Sequence, residues 1–286
     1  MRFDKLDRAA VADERATVIA LHCSGAGGSQ WRHLGRDLGP HYSLVAPDLI
    51  GTGGTEQWSG KRAFTLLDEA ASILDVMDAV NHPVHLVGHS YGACVALRCA
   101  VERPTRVASL TLYEPAAFYV LKTLGPDGRI ALESLQDVAR EVGHLVLNGA
   151  NSAAAKHFVE FWNGEGSWTA IRPETRDSLA RYIPKASLEF SAIFTERTPL
   201  VAYGRLNCPI LLLQGEHSPQ PMHMISRQLA RAMKRASLQS VYGAGHMAPM
   251  NQAPVVNAMM ANHIVSAEMQ LPRGEVEIAP NISRAA

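Results

Sequence analysis

Apolar residues in this chain gather into short runs that stop at glycine, proline or polar positions: TVIALHC (17–23), SLVAPDL (43–49), PVHLVGHS (83–90), RVASLTLYEP (106–115), PILLLQGE (209–216) and ASLQSVYGAG (236–245). Each has the length of a strand. Most are apolar on both faces, the pattern of a parallel strand covered by helices on two sides. Between several of them the period changes. DEAASILDVMDAV (68–80) carries apolar residues at three- and four-residue spacing, and GACVALRCAVERP (92–104) is apolar around most of its circumference and ends at a proline. Strands alternating with helices predict a doubly wound, mostly parallel α/β sheet.

One interval departs from this rhythm. No strand is predicted between Ala116 and Leu206, where the segment reads as helices separated by GPDG (125–128), NGAN (148–151), NGEG (163–166) and Arg172-Pro173. Helices inserted between two core strands are expected over the carboxyl ends of the sheet, where open α/β folds bind ligands. The predicted organisation is a core from residues 1–115 and 207–270, a helical cap or lid over 116–206, and a weakly periodic C-terminal tail over 271–286. Phe118, Tyr119, Phe158, Phe161, Trp162 and Trp168 fall in the cap, either lining an apolar pocket or forming the cap's own core.

Composition bears on partners more than on fold. At 286 residues and 47% hydrophobic content the chain can build a large core without disulfides or metals. Lys plus Arg and Asp plus Glu both number 27. A formal net charge of zero gives no reason to expect a nucleic acid or an anionic membrane surface, so the expected partner is a small molecule, with the oligomeric state left open. No apolar run approaches the roughly 18 residues of a membrane span. The opening MRFDKLDRAAVADERA lacks the apolar core of a secretory signal. The cysteines (Cys23, Cys94, Cys99, Cys208) form no CxxC pair, which favours reduced thiols and a cytoplasmic location.

The sharpest chemical signal is Gly88-His89-Ser90-Tyr91-Gly92, a G-x-S-x-G between an apolar strand and a helix that opens at Ala93. In that context the serine sits on a tight strand-to-helix turn that lifts Oγ clear of the sheet and aims a helix N-terminus at developing negative charge. A serine hydroxyl needs a base within hydrogen-bond reach. Of the 12 histidines, His246 in Gly243-Ala244-Gly245-His246-Met247 is the best candidate, on a loop directly after a predicted strand. His22 and His89 read as supporting residues. His82 and His85 flank a strand start with no third ligand in view, so no metal site is expected.

An oxyanion hole needs backbone N–H donors beside the nucleophile. One is expected from Tyr91 and the second from Ser24, in the loop His22-Cys23-Ser24-Gly25 that runs on into Ala26-Gly27-Gly28. A phosphate-binding role for this glycine-rich loop is disfavoured because neither Gly-Lys-Ser/Thr nor G-x-G-x-x-G spacing is present.

These motifs resemble the α/β-hydrolase superfamily along most of the chain. His22–Gly25 resembles its His-Gly-x-Gly oxyanion loop with Cys23 in place of the usual glycine, Ala46-Pro47-Asp48 the segment after the next strand, Gly88–Gly92 its nucleophile elbow, and Gly245-His246 its base loop. The resemblance implies a serine hydrolase with triad order Ser, acid, His. The acid departs from the pattern, because the position that usually carries it, beyond PILLLQGE, is Ser218. Glu114, at the end of the strand after the elbow, and Glu216 are the two candidates, with Glu114 favoured. The implied reaction is hydrolysis of a carboxylic ester, thioester or lactone through an acyl-serine, with no cofactor. Carbon–carbon bond hydrolysis by the same triad, and a non-catalytic small-molecule binder, are the alternatives.

Overall fold

The computed structural model describes residues 15–270, so the tail predicted over 271–286 lies outside the described residues. The core is one parallel sheet of β1 (Ala16–Leu21), β2 (Tyr42–Val45), β3 (Val84–His89), β4 (Val107–Tyr113), β5 (Ile210–Gly215) and β6 (Ala236–Val241), in the order β2-β1-β3-β4-β5-β6. β3 to β6 fall within apolar runs, β1 and β2 each start one residue before theirs, and the two-sided apolar pattern has a direct structural counterpart. Val18 and Ala20 of β1 enter one core with Trp31 and Leu34, whereas Ile19 and Leu21 enter the other with Ile73 and Met77. Successive side chains of a strand point to opposite faces, so a strand buried on both has no polar alternation to show. The two edge strands are less covered: β2 alternates half-buried and buried positions, and β6 alternates half-buried and exposed ones over its first four residues.

Helices cover both faces. The first face carries α1 (Arg32–Leu38) and α8 (Ala253–Glu268); the other carries α2 (Leu66–Ala79), α3 (Tyr91–Glu102) and α7 (Gln220–Ala232). Thr65 caps α2: its hydroxyl accepts from the Asp68 amide while the Asp68 carboxylate accepts from the Thr65 amide, a reciprocal capping box. The α3 helix ends at Arg103, just before Pro104.

Between β4 and β5 the described chain contains no strand and is mostly helical. A 3₁₀ segment (Phe118–Thr123) leads to α4 (Gly125–Leu147), α5 (Asn151–Asn163), a single turn at Ser167–Ala170, α6 (Pro173–Thr195) and a turn at Leu200–Tyr203. The breaks fall where the sequence puts them: Pro126 and Pro173 open helices, and Gly149, Gly164 and Gly166 adopt positive φ between them.

Strand register decides what meets at the carboxyl edge. Leu21 pairs with Gly88, His89 with Tyr113, Tyr113 with Leu213, and Gly215 with Val241. The residues just past β1, β3, β4 and β6 therefore emerge together. Among the described residues no helix is long and apolar enough to cross a membrane, and the four cysteines are buried free thiols.

Candidate active site

Ser90 follows β3 directly and caps α3 with φ 54° and ψ −114°, a conformation that L-residues seldom adopt. Backbone hydrogen bonds hold it there. Its amide donates to Tyr113 O at 2.9 Å, and its carbonyl accepts from Cys94 N at 3.1 Å and Ala116 N at 3.0 Å. Glycine is required on both sides for space. A Cβ on Gly92 would lie 2.4 Å from the Leu21 and His22 carbonyl oxygens, and one on Gly88 would lie 2.4 Å from Ala93 Cα.

His246 Nε2 lies 3.0 Å from Ser90 Oγ, and its Nδ1 lies 2.6 Å from Glu114 Oε2. A carboxylate can only accept, so Nδ1 carries the proton and Nε2 presents its lone pair to the serine hydroxyl. All three side chains are buried. Glu114 also has a positive φ, 45°, and its second oxygen accepts from Gly215 N at 2.6 Å. The base loop is anchored twice: Tyr113 OH donates to Gly245 O at 2.7 Å, and His89 Nε2 donates to His246 O at 2.8 Å. His89 is thereby fixed as the tautomer whose Nδ1 accepts from Gln30 Nε2. Burial, and then the neighbouring His246, keep its pKa well below the ordinary histidine value.

The alternative acid lies elsewhere. Glu216 is exposed, and its Oε2 accepts from Gly243 N at 2.8 Å instead of reaching the imidazole. The chain passes from β5 into a turn in which Ser218 N bonds Gly215 O, so residue 216 is directed to the rim. The Ser218 hydroxyl is buried and finds no partner.

Ser24 and Cys23 line the same cavity as Ser90 and His246. Tyr91 opens α3, where a helical amide has no carbonyl four residues back to bond. Cys23 N donates to Gln30 Oε1, and burial pushes the Cys23 thiol up to about 12, so it stays protonated. The glycine-rich loop is tied to the segment after β2 by Gly28 N donating to Asp48 Oδ1 at 2.9 Å. His22 donates from Nδ1 to Cys23 O and accepts at Nε2 from Leu49 N, and burial lowers its pKa.

Phe118, Phe158 and Trp162 contribute to the cavity wall, joined by Phe190 and Ile193 of α6. Tyr119 instead bonds Tyr203, and Phe161 packs edge-on against Trp162. Trp162 stacks on the His246 ring, with centroids 4.4 Å apart and planes 23° from parallel. Nothing in the sequence pairs these two residues, which belong to α5 and to the loop after β6. Equally unsignalled is a buried chain of Glu69, Lys185 and Glu189. Lys185 and Glu189 are spaced i,i+4 on a helix, where such pairs ordinarily face solvent.

A parallel sheet crossed in the order β2-β1-β3-β4-β5-β6, with a strained serine on the turn out of its third strand in sequence and a histidine from the loop after its last, defines an α/β-hydrolase fold. The chain belongs to the alpha/beta hydrolase family, whose model matches residues 18–258. It is 35% identical over 101 residues to the lipase LipV of Mycobacterium tuberculosis, a stretch covering 35% of this chain and 38% of that protein. It is 32% identical over 99 residues to a 2-hydroxy-6-oxo-2,4-heptadienoate hydrolase of Pseudomonas putida, covering 33% and 36% of the two chains. The chain thus spans little more than a third of the length of either relative. Among solved structures, the enol-lactonase of Burkholderia xenovorans LB400 superposes with a TM-score of 0.69 at 16% identity, covering 88% of this chain and 92% of that one.

Proposed function

We propose that the protein is a serine hydrolase that cleaves a carboxylic ester, thioester or lactone of a small molecule through an acyl-Ser90 intermediate. The observation that carries this reading is the continuous hydrogen-bonded line from Ser90 Oγ through the His246 ring to Glu114, with 3.0 and 2.6 Å contacts. His246 Nε2 takes the Ser90 proton as Oγ adds to the substrate carbonyl, and Glu114 offsets the positive charge that the imidazole acquires. The amides of Ser24 and Tyr91 hold the oxyanion, and the proton on Nε2 then passes to the leaving oxygen or sulfur as the carbonyl re-forms. Water deprotonated by the same nitrogen attacks the acyl-Ser90 ester, and the proton on Nε2 passes to Ser90 Oγ as the C–O bond breaks and the acid leaves. The helices of residues 116–206 act as a cap: α5 and α6 supply Phe158, Trp162, Phe190 and Ile193 to a mainly apolar acyl pocket.

The test is labelling with a fluorophosphonate, together with turnover of a chain-length series of p-nitrophenyl esters. One equivalent of label, absent in Ser90→Ala, and a loss of at least about a thousandfold in kcat/KM are the expected results. A folded Ser90→Ala protein that keeps half of the wild-type rate rules the assignment out.

A further inference from the structure

Three charged side chains lie buried beside the site and have no part in the proton relay. Glu69 projects from α2, Lys185 and Glu189 from α6, and none is more than 3% exposed. Lys185 Nζ donates to Glu69 Oε2 at 2.7 Å and to Glu189 Oε1 at 3.3 Å. Burial alone lowers the lysine's pKa, but Glu189 and Glu69 outweigh it and raise the value, so the group remains an ammonium. Its charge also faces the rings of Phe64 and Tyr91, at 4.5 and 5.2 Å.

What matters most is where this charged line ends. At one end the Tyr91 hydroxyl donates to Glu69 Oε2 at 2.9 Å; at the other the Ser24 hydroxyl donates to Glu189 Oε2 at 2.6 Å. These are the two residues whose amides are assigned to the oxyanion. Burying two carboxylates and one ammonium adds little stability over apolar residues of the same shape, so the arrangement calls for another reason to be there. Amides that must meet a developing oxyanion at about 2.7–3.1 Å tolerate little drift, and the donors sit on separate loops, one after β1 and one after β3.

We propose that Glu69, Lys185 and Glu189 are positioning residues that clamp Ser24 and Tyr91 by their side chains and so fix the spacing of the oxyanion-hole amides. The inference rests on the serine-hydrolase reading above. Because Lys185 and Glu189 belong to α6, the hole is complete only when that helix is packed against α2 and the loop after β1.

Ser24→Ala and Tyr91→Phe test the clamp directly, since each keeps its peptide amide, removes one tie and leaves every buried charge in place. With p-nitrophenyl butyrate, each is expected to lower kcat about tenfold or more, part of the loss seen when a donor is deleted outright. KM should stay within about twofold, and the inhibition constant of n-butylboronic acid, a tetrahedral mimic, should weaken by the same factor as kcat. Glu189→Gln keeps an acceptor for the Ser24 hydroxyl and should retain most of the rate. Glu189→Leu, which also takes one carboxylate from the buried Lys185, should cost at least as much as Ser24→Ala, and adding Ser24→Ala to it should cost nothing more. If Ser24→Ala and Tyr91→Phe both keep kcat and boronate affinity within about twofold of wild type, the clamp is overturned while the triad stands. If Ser90→Ala still turns over the ester, the serine reading itself fails and takes the clamp with it.

Discussion

Ser90 and Glu114 are the non-glycine residues with positive φ among the described residues, and they occupy the two ends of the line through His246. Such conformations persist where surrounding bonds enforce them, and here the enforcing bonds come from neighbouring strands: Ser90 N to Tyr113 O and Glu114 N to Leu213 O. The proposed nucleophile and base stand out in the sequence because their motifs sit in a strand–turn–helix and a strand–loop context. The proposed acid is legible only as a choice of two, since the register that brings Glu114 to the imidazole, and turns Glu216 to the rim, is a property of the sheet. Glu114→Gln preserves shape but removes the charge that stabilises the imidazolium, and kcat is expected to fall by about two to four orders of magnitude. Glu216→Gln should stay within about twofold, because an exposed carboxylate contributes only a screened field. Steady-state kinetics of the two variants side by side decide the assignment, and reversed costs would make Glu216 the acid.

At the scale of elements, all six strands are visible in the apolar runs because burial on both faces leaves short continuous segments. The insertion is visible as helices because glycine and proline punctuate it. What stays hidden is which surfaces meet: Trp162 on α5 and the Lys185–Glu189 pair on α6 acquire their meaning only from packing against the His246 loop, α2 and the loop after β1. The elbow is the element whose sequence and geometry agree most closely. Gly92→Ala would push a methyl against two β1-end carbonyls at 2.4 Å, atoms that belong to the sheet backbone and cannot step aside. A loss of about 3 kcal/mol or more, or no soluble protein, is expected. Gly143→Ala is the matched control. Gly143 lies inside α4 with nothing within 4 Å of the place a methyl would take, so the substitution should raise stability by about 0.5–1 kcal/mol. Urea denaturation of both variants checks the pair, and a neutral Gly92→Ala would contradict the close approach.

For the molecule as a whole, burial lowers the pKa values of His22, His85, His89 and His263. Below the ordinary histidine value of about 6.5 the unfolded chain therefore binds protons that the native state refuses, and folding stability falls as pH drops through that value. The urea midpoint should be highest above about pH 7 and decline steadily toward about pH 5.5. His89→Gln should flatten part of that slope, and an unchanged slope in this variant would remove His89 from the account. The position of the acid has a different kind of consequence. With Ser90 and Glu114 on the same β-α-β unit, the proposed nucleophile and its carboxylate lie in one contiguous stretch of chain, and the segment 116–206 begins only after both. Exchanging that segment would replace the pocket wall while keeping Ser90, Glu114 and His246 in the chain, but it would also replace Trp162, which stacks on the His246 ring. A replacement segment would therefore have to supply counterparts of Trp162, Lys185 and Glu189, the side chains through which this one reaches His246, Glu69 and Ser24.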